Sequence, residues 1–203
     1  MTLTNRYYGG ASLGPGRTIQ DLSLCDLQGN FVYTARSRAK GLLTIIFFAP
    51  DAPASANALR IVQQWTQEIP TDKWSALGVA GPDRPILESY AQSQGITGIT
   101  VLVDYDLYQT RAWGISHLPS TFVIDGKTGR VLSRVIGDDP QEFMTARQIL
   151  EDNIAKIVAA EAAAKKAAEE KAAADAIKAA AAAAGAVATP AIAATPAPAP
   201  AKA

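Results

Sequence analysis

Eight consecutive residues, Leu42-Leu-Thr-Ile-Ile-Phe-Phe-Ala49, constrain the fold more than any other feature of the chain. A β-branched and aromatic run broken only by one threonine suits a strand buried on both faces, the condition of a sheet covered by helices on each side. We read it as the central strand. It is also far shorter than the roughly 20 apolar residues that a helix needs to cross a bilayer, so no intrinsic membrane span is expected.

The elements around it alternate. Ile19 to Leu24 and Phe31 to Thr34 flank Cys25-Asp-Leu-Gln-Gly-Asn and predict two short strands around a turn. After the Pro50-to-Ser55 loop, Leu59, Val62, Trp65 and Ile69 recur at three- and four-residue spacing, an amphipathic helix that ends at Pro70. Trp74 to Ala80 returns as a strand, Arg84 to Gln94 as a helix, Ile99 to Val103 as a strand and Leu107 to Trp113 as a short helix. Thr121-Phe-Val-Ile and Arg130-Val-Leu-Ser-Arg-Val-Ile enclose Asp125-Gly-Lys-Thr-Gly, a hairpin signal. A helix from about Pro140 closes the core with Phe143, Ile149, Leu150, Ile154 and Ile157. Strands alternating with helices imply parallel pairing, and the last hairpin adds an antiparallel edge. The expected fold is an α/β mixed-sheet sandwich with an N-terminal β-hairpin extension and a long C-terminal Ala-rich helix.

The core must lie before Ala159, because from that residue to the C-terminus more than half of the side chains are alanine. Glu161-Ala-Ala-Ala-Lys165 is the unit of a semi-rigid helical spacer, and Lys166/Glu170 and Lys171/Asp175 keep opposite charges four residues apart. Beyond Gly185 the Ala/Pro alternation offers too little apolar area to fold. The organisation read from the sequence is therefore a flexible segment over 1–16, a globular domain over 17–158, a helical stalk over 159–184 and a disordered tether over 185–203.

Charge excludes some partners. With 19 basic and 19 acidic side chains the chain has no net charge, so neither nucleic acid nor an anionic membrane has compositional support. One cysteine rules out an internal disulfide or a Cys-rich metal site. The N-terminus lacks the apolar run of a secretory signal, so a cytoplasmic protein is expected, or a periplasmic one where a leader has been removed.

Ile19-Gln-Asp-Leu-Ser-Leu-Cys-Asp-Leu-Gln-Gly, Ile45-Ile-Phe-Phe-Ala-Pro and His117-Leu-Pro-Ser-Thr-Phe-Val-Ile-Asp-Gly-Lys-Thr-Gly, taken together, resemble the thioredoxin-like superfamily in its redoxin branch, which includes peroxiredoxin-like and TlpA/ResA-type proteins. The likeness covers about Gly16 to Val158. It implies a thioredoxin-like fold, a cis bond before Pro119, and a groove for an extended peptide formed by Asp51, Pro53, His117, Leu118 and Pro119. In active members a Cys-x-x-Cys pair follows the central strand at a helix N-terminus, which stabilises a thiolate. Laid on this chain without gaps, those positions fall on Ala52 and Ser55. Alanine has no nucleophile, and a serine hydroxyl needs an activating base. Disulfide exchange requires a thiolate and a resolving partner, so no catalytic residue is assigned and the site is degenerate.

Two other residues carry a functional and a plainer reading. Cys25 is the one candidate thiol, peroxidatic or regulatory, against a small semi-buried side chain on the opening strand. His117 sits beside the groove, but a copper site would lack its soft ligands, so no metal is expected and a solvated loop role is favoured. Trp65 and Trp113 fall at core spacing, and Asp104, Asp106, Asp138 and Asp139 suit turns and caps rather than a cation loop. No cofactor is expected. The leading expectation is a redox-inactive thioredoxin-like protein that binds a protein partner as an accessory subunit of a larger assembly, membrane-associated assemblies included. The rival is a thiol-dependent oxidoreductase acting through Cys25, or through cysteines removed at 52 and 55.

Overall fold

The computed structural model describes residues 13–69 and 72–185. Its elements run β1 (Ser23–Asp26), β2 (Phe31–Tyr33), α1 (Thr34–Arg38), β3 (Leu42–Phe47), α2 (Pro53–Glu68), β4 (Trp74–Ala80), α3 (Arg84–Ser93), β5 (Ile99–Val103), α4 (Tyr108–Ala112), β6 (Ser120–Asp125), β7 (Val131–Ile136) and α5 (Pro140–Gly185). The strands form one mixed sheet in the order β2-β1-β5-β4-β3-β6-β7. β3, β4 and β5 are parallel, while β6, β7, β1 and β2 join antiparallel. All six residues of β3 are buried, as the apolar run requires. It is interior but not the middle of seven; β4 holds that place, because the N-terminal hairpin adds two strands on the β5 side.

Two apolar layers sandwich the sheet. One packs Ala58, Leu59, Val62 and Trp65 of α2 and Phe143, Ala146 and Leu150 of α5 against Ile46, Val101 and Val123. The other packs Trp113, Ile19 and Leu22 against Phe47, Leu102 and Phe122. Phe47, Trp113 and Phe122 meet as an aromatic triad with centroids 5.2–6.1 Å apart.

The structure revises three local readings. The opening strand runs Ser23–Asp26 rather than Ile19 to Leu24 and carries Cys25, and the Asp26 carboxylate starts the turn by accepting the N–H groups of Gln28 and Asn30 at 2.9 and 2.8 Å. Thr34 ends no strand but opens α1, a five-residue helix too short to leave a periodic signature. Leu107 precedes α4 in a left-handed conformation, φ 57°, instead of belonging to it.

The chain divides into two compact units, Met1–Val158 and Ala159–Ala203. In the second, the α5 side chains described are exposed and Lys165/Glu169 and Lys166/Glu170 pair at 4.0 and 3.9 Å. The tether read over 185–203 lies outside the described residues beyond Gly185. Of the segment read as flexible, 1–12 also lies outside them; Gly16 donates to the Val131 carbonyl at 2.8 Å. Among the described residues no helix is long and apolar enough to cross a membrane.

An ion pair ties the N-terminal hairpin to the far end of the sheet. Arg38 donates to both Asp21 oxygens at 2.9 and 3.0 Å and to the Gly126 carbonyl at 2.6 Å. Asp21 also accepts from the Thr34 hydroxyl, which itself accepts from the Leu22 amide at 2.8 Å. The hydrogen bond from Arg38 is the main reason the Asp21 carboxyl titrates below its ordinary value. A carboxyl with a depressed folded pKa contributes stability above its unfolded value, about 3.9, and loses that contribution as pH falls through the folded one. We expect the urea midpoint to drop from about pH 5 to about pH 3, and to drop less in Arg38→Met. Parallel pH curves for the two proteins would disprove the linkage.

Candidate functional site

The carboxyl ends of the parallel strands of an α/β sheet are where loops converge on ligands. Here three such loops share one edge. β3 delivers Ala49-Pro50-Asp51-Ala52 to the start of α2, where Ala52 is the N-cap (φ −98°, ψ 121°) and Pro53 takes the first helical position, the one place where a missing N–H costs nothing. Ala52 accepts from the Ser55 amide at 3.0 Å, and Ser55, fully buried, accepts the Ala49 N–H on its Oγ at 3.0 Å. The Ser55 hydroxyl thus holds the loop closed. Asp51 and Pro53 are exposed and Ala52 is half-buried.

β6 begins beside this loop, because Phe47 pairs with Ser120. The Leu118–Pro119 peptide is cis. Pro119 is buried and its carbonyl accepts the Gly137 N–H at 2.9 Å, which fixes the strand start against the end of β7. The Ser120 hydroxyl donates to the His117 carbonyl at 2.8 Å. Leu118 is 40% exposed, and among the described residues neither its N–H nor its C=O is hydrogen-bonded. His117 is exposed and its Nδ1 lies 2.9 Å from the Ser116 Oγ.

The structure therefore gathers Asp51, Ala52, Pro53, Ser55, Leu118 and Pro119 at one edge, with His117 on its solvent side. Cys25 is not among them: β1 stands three strand positions from β3, about 14 Å across the sheet. Cys25 is half-buried opposite Phe31.

Sequence reasoning missed further parts of this edge. Gly81–Pro82 is a second cis peptide, at the end of β4. Asp104, by contrast, takes the cap role read for it in the sequence: it is 1% exposed and accepts from Gln109 N–H, Thr110 N–H and the Thr110 hydroxyl at the start of α4, at 3.2, 2.8 and 2.8 Å. An open cleft of about 740 Å³ lies between α2 and the loop after β7, where Asn57 donates to Asp138 at 2.9 Å. The Gly137-Asp-Asp-Pro140 turn signal marks that loop in the sequence, but only the fold puts Asn57 beside it.

Chemically, the edge offers backbone polar groups and apolar surface but no nucleophile. Among the described residues no base accepts from the Ser55 hydroxyl, whose oxygen accepts the Ala49 amide. Among the described residues no three His, Cys, Asp or Glu side chains gather as a metal site would need.

No protein-family model matches the sequence, and no curated protein does. Solved structures do match. A Chlorobium tepidum protein described as a thiol:disulfide interchange protein, DsbE, superposes at TM-score 0.63 and 18% identity over 70% of this chain and 99% of that one. Peroxidoxin BcpB of Mycobacterium tuberculosis follows at 0.59 and 18%, covering 70% and 97%. A thiol-disulfide oxidoreductase of Bacteroides fragilis gives 0.54 and 19%, covering 65% and 97%. The chain has the thioredoxin-like fold of these proteins, and with one cysteine in its sequence it carries no Cys-x-x-Cys pair.

Proposed function

We propose that this is a redox-silent thioredoxin-like module that binds another protein, as an accessory or structural subunit of a larger assembly. One observation carries the reading. Where thiol chemistry would need two cysteines, the loop after β3 has Ala52 and a buried Ser55 whose hydroxyl oxygen accepts the Ala49 amide. The loop is held in shape without a thiol. The unbonded N–H and C=O of Leu118 beside it suit main-chain pairing with an extended peptide, which needs no reacting atom. The Ala-rich stalk and Ala/Pro tether read from the sequence would keep such a module near its assembly, a gain in effective concentration that serves binding.

The purified protein should neither reduce insulin disulfides nor consume peroxide, and Cys25→Ser should leave that background unchanged. The double variant Ala52→Cys/Ser55→Cys should acquire insulin-reducing activity, since both side chains are small and a sulfur at position 55 can accept the Ala49 amide in place of the hydroxyl oxygen. Turnover by the unmodified chain that disappears in Cys25→Ser would overturn the proposal in favour of a thiol oxidoreductase, the activity named for the structural neighbours.

A further inference from the structure

We propose that the end of the sheet where the parallel strands begin is a second protein-binding surface, fitted to an acidic stretch of a partner protein. Equal numbers of acidic and basic side chains in the sequence conceal a separation of charge by end. Asp51, Asp83 and Asp106 stand in the loops that follow β3, β4 and β5, and Asp138 and Asp139 in the one that follows β7. Exposed cations gather at the other end. Lys40 precedes β3, Lys127 and Arg130 lie between β6 and β7, and Arg17 offers its carbonyl to the Val131 amide beside them. Lys156 adjoins Ile157, whose Cδ1 lies 3.2 Å from where a Cβ on Gly41 would be. Arg36 of α1 borders a cavity together with Trp74 and Gly98, at the starts of β4 and β5. Among the described residues up to Val158, Arg60 and Arg111 are the only exposed cations that stand elsewhere.

These six cations are unmatched. Among the described residues none of them forms a salt bridge. The carboxylates of the same end are engaged: Asp21 by Arg38, Asp72 by Lys73 at 3.6 Å, Glu68 by Arg147, Asp125 by the Thr128 amide at 2.9 Å and Asp152 by the Gln148 side chain at 2.8 Å. Arg36 lies 5.4 Å above the Tyr33 ring, which steadies the guanidinium without neutralising it. Like charges collected at one pole repel one another, and an anionic partner relieves that repulsion.

Shape decides between anions. A cavity of about 410 Å³ is lined by Arg36, Lys40 and Thr100 together with Val32 and Leu77. A second, of about 190 Å³, shares Trp74, Ser75 and Gly98 with it and extends to Thr66 and Ile69. Concave spaces with mixed apolar and hydroxyl walls accept side chains. The headgroup plane of a bilayer has nothing to place in them, and a phosphate backbone has no apolar group to set against Leu77. A run of Glu or Asp interrupted by one or two Leu or Val supplies both parts, carboxylates for the cations and an apolar side chain for the cavity. Exposed ion pairs add little affinity apiece, but as a set they steer the encounter and orient it. The surface lies at the opposite end of the sheet from the Ala52–Pro119 edge and uses none of its residues, so this inference and the proposed function fail separately.

The probe is fluorescein-labelled Glu-Glu-Leu-Glu-Asp-Val-Glu-Glu, amidated at its C-terminus, titrated with the full chain by anisotropy and followed by amide NMR. Saturable binding that weakens with salt is expected, with the largest shifts at the Lys40, Ser75 and Thr100 amides. The double variant Arg36→Glu/Lys40→Glu, altered only at exposed positions, should bind about tenfold more weakly. Arg60→Glu/Arg111→Glu makes the same change of net charge away from this end and should stay within about twofold of the unmodified chain. A peptide with Ser in place of Leu and Val should lose most of its affinity. Absence of binding, equal weakening in the two double variants, equal binding of the Ser peptide, or shifts centred on Leu118 would overturn the assignment. Tighter binding of oligothymidine or of phosphatidylserine vesicles, compared at equal anionic charge, would also overturn it, by giving the surface to a nucleic acid or a membrane.

Discussion

Gly126→Ala is expected to destabilise the protein by about 3–5 kcal/mol, the upper range for one substitution. Gly126 begins the turn between β6 and β7, and a Cβ built there would lie 1.9 Å from the Arg38 carbonyl oxygen and 2.1 Å from that of Gly41. Both obstacles are main chain, so no side-chain rotation relieves them. The same residue donates its N–H to the Gly41 carbonyl at 2.7 Å and accepts from Arg38 at 2.6 Å. Backing away to admit a methyl group breaks both bonds and releases the α1–β3 connection from the turn. Urea titration should show the midpoint collapse. Gly95→Ala is the control: its φ of +58° is strained for alanine, but nothing lies within 4 Å, so about 1 kcal/mol is expected. Equal losses in the two variants would refute the argument from close approach.

Phe122→Ala should lose a comparable amount, about 3–5 kcal/mol, for a different reason. Phe122 is fully buried on β6, edge-on to Phe47 and Trp113 at 6.1 and 5.6 Å, and lies 5.4 Å from the Arg134 guanidinium carbon. Truncation opens a cavity and removes the ring face that Arg134 covers. Phe122→Leu keeps most of the volume and should recover more than half of the loss, as thermal unfolding would show. If leucine were no better than alanine, the edge-to-face contacts rather than filled volume would dominate at this site.

How far the sequence foretold this molecule depends on the range of the interactions. β3 was legible because eight residues in a row, apolar but for Thr44, admit few alternatives, and α2 because Leu59, Val62 and Trp65 repeat at the helical period. The Asp125-to-Gly129 turn was legible from glycine chemistry alone. By contrast, α1 depends on Thr34, whose hydroxyl is fixed by Leu22 and Asp21 twelve and thirteen residues away. No local pattern signals that. At the candidate edge the cis bond before Pro119 followed from the resemblance, but the burial of Ser55 and its bond to Ala49 needed the loop to be closed in three dimensions. The point where β1 leaves the sheet was invisible for the same reason, since it is decided by a side chain, Asp26, reaching over its own turn.

The pairing of β1 with β5 also sets an order of events during synthesis. The β1–β2 hairpin leaves the ribosome before β5, and Val103, the partner of Cys25, lies 78 residues further along. At typical elongation rates the hairpin waits about 4–16 seconds before its neighbour exists. Through that interval β1 has only β2 to pair with, and the hairpin joins the sheet no earlier than β5 is made.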